Sequence, residues 1–278
     1  MESVRFEVQG QNVELKVHAS ELLPLAKKLH SAAQEPDSEI SNDPDLEWIP
    51  AGGSNYLIHL KGSPWESPMP ESDLFLQSEN LVNQLFREKL GNLAQIHAGC
   101  ITSPSEKCFL ICGQSGAGKT SITLASILNG WSWLSDEYAL IEESAPRTIL
   151  GFPRNFNIKE RSWEQFPETA KKTSTVELYS GFHKKQVRLF NPNELRTESH
   201  IRNASLNAII FPSYSPEEKT PTVNQIQGIA AMSRLLPEVQ NAPAWIMQAL
   251  TDWVQDLPCY EISYHDPREV PPFLETLI

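Results

Sequence analysis

The chain has 278 residues, 40% of them hydrophobic, enough to bury one good core and a small second one, so two domains are expected. A formal charge of −12 and a pI near 5.1, with no Lys/Arg cluster to offset them, exclude nucleic acid and anionic membrane surfaces as expected partners. No apolar stretch approaches the roughly 20 residues of a membrane span, and the acidic, alternating opening from Met1 to Val13 is unlike a signal peptide, so a cytoplasmic location is expected. The 4 cysteines (Cys100, Cys108, Cys112, Cys259) lack metal-site spacing; three lie in apolar runs, and all read as reduced core thiols.

Residues 3–17 alternate apolar and polar side chains around a Gly-Gln-Asn turn, the pattern of a hairpin. Ser20 then has the character of an N-cap, and 21–33 that of an amphipathic helix with Pro24 in its first turn. The acidic, proline-bearing stretches 35–45 and 62–72 predict exposed connections, with a strand over 55–61 between them. A helix over 81–93 leads out, so residues 1–80 are expected to form a small α+β module and 81–278 a second domain. In the second domain AQIHAGCI and KCFLICG are near-continuous apolar runs, followed by a helical TSITLASILNG and a strand-like WSWLSDEYALIEE. That order indicates an α/β core with buried strands. Further strands are expected over 206–211 and 260–264, and helices over 242–255 and 270–277; no internal repeat or low-complexity tract is found.

Between the second apolar run and the helix, Gly113-Gln114-Ser115-Gly116-Ala117-Gly118-Lys119-Thr120 matches G-x-x-x-x-G-K-[ST] in full. Each fixed position has a physical reason. Glycines permit left-handed backbone, which turns successive N–H groups inward to form a nest for phosphate oxygens. The following helix presents its positive end to the same anion. Lys119 supplies a full charge to the β and γ phosphates, and the Thr120 hydroxyl is a Mg²⁺ ligand. Binding of a nucleoside triphosphate, ATP with Mg²⁺, follows; the motif alone does not fix what is done with the phosphate.

Asp136 and Glu137 follow after one helix and one short return strand, a spacing that brings them to the carboxyl edge of the sheet, where ligands of α/β folds collect. Asp136 there can contact Mg²⁺, directly or through water, or accept a proton from an attacking hydroxyl; a solvated turn between two strands is the plainer alternative. His97, in the apolar run before the loop strand, reads either as a hydrogen-bonded core residue or as a base or orienting partner of Asp136.

Together IHAG (96–99), ICGQSGAGKT (111–120), WLSDEYAL (133–140) and GFPRNFNIKE (151–160) resemble, in order and spacing, the HPr kinase-like P-loop kinases, which are related in fold to phosphoenolpyruvate carboxykinase. The resemblance covers about residues 94–278, and the preceding module is weakly similar to that of HPr kinase-related proteins found beside peptide-modifying enzymes. It implies a P-loop kinase core of that type and transfer of the ATP γ-phosphoryl group to a hydroxyl, usually a serine. By position, Lys119 and Thr120 would hold ATP and Mg²⁺, Asp136 would act as general base, Glu137 would support the metal, and His97 would assist Asp136. Arg154 would neutralise transferred or substrate phosphate, the alternative being an exposed loop arginine after a proline turn. The second carboxylate is Glu137 where the bacterial HPr kinases have Asp, and the glycine-rich segment of those bifunctional enzymes is missing, which disfavours HPr itself as acceptor. A serine-bearing peptide, such as a ribosomal precursor peptide, is the acceptor the resemblance suggests. The competing functions are a small-molecule kinase for free amino acids and a non-catalytic nucleotide-binding regulatory module.

Overall fold

The computed structural model describes residues 2–33, 43–173, 176–180 and 185–277. They form two compact units, Met1–Leu90 with Arg154–Asn191, and Gly91–Pro153 with Pro192–Ile278. The expected boundary after residue 80 falls inside a helix, Glu71–Lys89, and the chain returns to the first unit for a second segment.

In the first unit the hairpin pairs Glu2–Val8 with Gln11–Val17, Phe6 opposite Val13 and Val4 opposite Leu15. Its turn is Gln9-Gly10, both at positive φ (50° and 75°), the conformation that matches strand twist in a two-residue connection. Leu46–Gly52 adds in parallel, and Asn55–Leu60 pairs antiparallel to it. The helix expected over 21–33 is broken into Ser20–Leu22, Leu23–Ala26 and Ser31–Ala33, with Ala19 rather than Ser20 at the N-cap. Pro24 lies in the first turn of Leu23–Ala26, where proline is tolerated, but His30, at φ 44°, cannot continue a right-handed helix. The acidic connection expected over 35–45 lies largely outside the described residues, which resume at 43.

The helix Glu71–Lys89 starts well before the expected residue 81, because Glu71 and Asp73 favour a first turn there and Pro70 supplies extended backbone at the N-cap. It buries Leu74, Phe75, Leu81, Val82, Leu85 and Phe86, and Ser78 Oγ accepts a 2.7 Å hydrogen bond from the indole of buried Trp48. The returning segment forms an antiparallel sheet in the order Phe156–Lys159, Lys185–Phe190, Val176–Ser180.

The second unit is a mixed α/β structure. Three strands, Cys108–Cys112, Asn203–Tyr214 and Cys259–Tyr264, run parallel and adjacent. Cys108–Cys112 is buried at every residue, as expected of a strand covered on both faces. Ala94–Thr102 runs antiparallel beside it and pairs in turn with Ser132–Ser135 and Tyr138–Ile141. The strand-like run WSWLSDEYALIEE holds two strands, Ser132–Ser135 and Tyr138–Ile141, with Asp136-Glu137 between them after the short return strand. Elements without a clear sequence signal complete the unit: the strands Thr148–Leu150, Thr222–Ile226 and Val239–Asn241 and the helix Gly228–Leu235. The helix expected from residue 242 begins at Ile246 and runs to Asp256, packing Leu250 and Trp253 into the core. All four cysteines are free and buried, and burial pushes the Cys108 thiol up to about 12 and Cys259 to about 11. They are reduced core thiols. Among the described residues no helix is long and apolar enough to cross a membrane.

Candidate functional site

Residues Gly113–Gly118 join the buried strand Cys108–Cys112 to the helix Lys119–Leu128, so the glycine-rich motif has a strand before it and a helix after it. Gly116 and Gly118 adopt φ 93° and 101°, and Gly118 is the helix N-cap. Lys119 is buried, and its Nζ donates to the Gly113 carbonyl at 2.5 Å, which holds the ammonium over the loop.

Tyr264, at the end of the parallel strand Cys259–Tyr264, two strands from the loop strand, holds the loop. Its hydroxyl donates to the Ala117 carbonyl at 3.2 Å, and burial raises its pKa, so it remains a donor. A Cβ on Gly118 would lie 1.6 Å from that hydroxyl oxygen, whereas one on Gly116 would meet nothing within 4 Å. Gly118→Ala should therefore destabilise the fold by roughly 1–3 kcal/mol more than Gly116→Ala, since both incur left-handed strain and only one overpacks. Denaturant unfolding of the two variants measures this; equal losses would remove Tyr264 as the cause.

The helix following the loop delivers Thr120 to Asp136, whose Oδ2 accepts a 2.8 Å hydrogen bond from Thr120 Oγ1. Asp136 is only 5% exposed, which removes the solvated-turn alternative for it. Ser135 Oγ accepts from the backbone N–H of Glu137 (3.2 Å) and Tyr138 (2.8 Å), tying the turn that carries both carboxylates. Gly99 lets helix and strand approach: a Cβ there would lie 2.7 Å from Thr123 Oγ1 and 4.0 Å from Asp136 Oδ1. The glycine of IHAG thus has a packing role that the motif alone did not disclose.

Glu137 is about one-third exposed, and its Oε1 lies 3.6 Å from His97 Nε2. His97 Nδ1 lies 3.1 Å from Oε2 of Glu238, a buried residue that the sequence reading missed because it belongs to no motif. His97 thus contacts Glu137, the neighbour of Asp136 in sequence, and Glu238. A hydroxyl and a carboxylate 2.8 Å apart are hard oxygen donors and fit Mg²⁺. Among the described residues no group of three or more His, Cys, Asp or Glu is placed to hold a metal.

Beside the loop lies a cleft of about 760 Å³ at the carboxyl ends of the parallel strands, lined by Gly113–Ala117, by 211–214 and by Ser233, Arg234, Glu238, Glu261 and Ser263. That volume is within the range of small-ligand sites. Arg154 belongs to the first unit. There it is buried, donates from Nε to the Asn155 carbonyl at 3.2 Å, and places Nη2 3.6 Å from Glu79 Oε1, so it is not an exposed loop arginine. Glu79 Oε1 is also 3.2 Å from His30 Nε2; burial and the Arg154 charge hold that imidazole well below its ordinary pKa.

No family model matches the chain, and no curated protein matches it. Among solved structures it is similar to the Hpr(Ser) kinase/phosphatase from Coxiella burnetii, with 14% sequence identity and a TM-score of 0.34 over 66% of this chain and 87% of that one.

Proposed function

We propose that this chain is an ATP-dependent kinase that transfers the γ-phosphoryl group to a serine-type hydroxyl of a peptide or protein. The observation that carries the reading is the 2.8 Å contact between Thr120, the last residue of the phosphate-loop motif, and the buried carboxylate of Asp136. That contact supports a reading in which Thr120, next to the loop lysine in sequence, offers a metal-ligand hydroxyl and Asp136 a candidate base.

In this reading the loop N–H groups and the helix N-terminus hold the phosphates, with Gly113, Gln114, Ser115, Gly116, Ala117 and Gly118 lining the cradle. Lys119 exchanges the Gly113 carbonyl for β- and γ-phosphate oxygens. Thr120 and Asp136 would hold Mg²⁺, supported by Glu137, and the bound ion supplies neutralisation of phosphate charge. The acceptor oxygen forms its bond to the γ-phosphorus as the bond to the β–γ bridging oxygen breaks, and its proton passes to an Asp136 carboxylate oxygen. ADP is the leaving group. His97 orients Glu137 beside that carboxylate. Arg154, paired with Glu79, has a structural role in the first unit that accounts for its burial.

The test is transfer of radiolabelled γ-phosphate from ATP to serine-bearing peptides, including any short precursor encoded beside this chain. Labelled phosphoserine is the expected product; labelling of free amino acids alone would replace the peptide acceptor with a small molecule. Thr120→Ala should leave ATP affinity without Mg²⁺ nearly unchanged while removing most of the extra binding that Mg²⁺ confers, because only the metal-ligating hydroxyl is lost. Titrations with and without the metal measure this, and equal losses in both would count against Thr120 as a ligand.

A further inference from the structure

The cleft beside the loop holds a cation that the kinase reading has not used. Arg234, in the last turn of the helix Gly228–Leu235, lines the cleft together with Gln114–Ala117 and is ion-paired to Glu261 on the strand Cys259–Tyr264. The described lining carries Arg234 against two carboxylates, Glu261 and Glu238. Glu238 is already engaged by His97 at 3.1 Å, so the Arg234–Glu261 pair decides how much positive charge the cleft can offer an anion.

The pair is built to exchange. The Arg234 side chain is 53% exposed and that of Glu261 28%, so the contact is hydrated and weak. Glu261 also accepts a 3.0 Å hydrogen bond from Asn224 Nδ2 and keeps that partner if the arginine leaves. A triphosphate carries several negative charges, and its oxygens offer the planar fork of a guanidinium more acceptors than one partly exposed carboxylate does. Resting on the kinase reading, we infer that Arg234 is a phosphate-binding residue of this site, held by Glu261 until a nucleoside triphosphate takes it over. Glu261 then acts as a competitor that sets the cost of nucleotide entry.

The two variants should move nucleotide affinity in opposite directions. In the full chain, Arg234→Ala should weaken Mg-ATP binding by about 10- to 100-fold, the range for losing a charged hydrogen bond, and slow transfer at saturating ATP. Glu261→Gln should tighten binding by up to about fivefold, the strength of a half-exposed ion pair, with the gain shrinking at high salt. Arg234→Lys should lie between the parent and Arg234→Ala. Calorimetric titration with Mg-ATP reads all three, and Glu261→Gln alone carries the test if Arg234→Ala does not fold. Weaker binding in Glu261→Gln, or parental binding and transfer in Arg234→Ala, overturns the inference while leaving the kinase reading intact. A parent chain that does not bind Mg-ATP overturns the kinase reading itself.

Discussion

Lys119→Ala should weaken Mg-ATP binding by roughly 100-fold or more, up to the loss of detectable binding. The motif 113–120 contains one full positive charge, that of Lys119. Without it the phosphates retain the backbone N–H groups and a helix end equivalent to about half a unit charge. Losing a charged hydrogen bond in a water-poor site is by itself worth about 1.5–3 kcal/mol. The fold should survive. In the protein the ammonium makes a 2.5 Å bond to the Gly113 carbonyl, and truncation exposes that acceptor to the cleft, where water can satisfy it. Calorimetry paired with a thermal melt separates the two effects: unchanged melting with lost binding supports the phosphate-loop reading, whereas parental affinity in the variant removes it.

The parts of the site that the sequence disclosed are those whose chemistry is local. The loop needs glycines where the backbone turns left-handed, and Gly116 and Gly118 are at positive φ. The apolar runs 94–101 and 108–112 are legible because strands covered on both faces must be apolar throughout. What escaped notice depends on distant partners. Glu238 reaches His97 across 141 positions of sequence, and Tyr264 reaches Ala117 across 147, separations that periodicity cannot register. The broken helix over 20–33 fails for the opposite reason: its apolar spacing is helical, but the left-handed backbone at His30 overrides it. The chain's return to the first unit at Arg154 is a tertiary event without a local marker. Between Ser135 and Tyr138, by contrast, two side chains of ordinary turn character conceal a buried carboxylate, and only the packing of Thr120 distinguishes it from a solvated bend.

Asp136→Asn should slow phosphoryl transfer by about 10²- to 10⁴-fold, the usual contribution of a general base, while changing ATP affinity only several-fold. The substitution keeps the side-chain shape, and its amide oxygen can still accept the Thr120 hydroxyl that Asp136 Oδ2 accepts at 2.8 Å. What disappears is the negative charge and the basic oxygen. Two roles for this carboxylate predict different metal dependence. If it mainly holds Mg²⁺, raising Mg²⁺ or supplying Mn²⁺ should restore much of the rate, because the deficit lies in metal occupancy. If it takes the acceptor proton, metal cannot replace it, and the deficit persists at saturation. The assay is radiolabelled transfer to a serine-bearing peptide across a metal titration, with ATP saturating. Transfer at the parental rate in Asp136→Asn would end the base assignment. A parent that binds Mg-ATP through Lys119 yet phosphorylates no hydroxyl acceptor would turn the same geometry into that of a regulatory module, in which Asp136 and Thr120 bind the nucleotide's metal and no proton is moved.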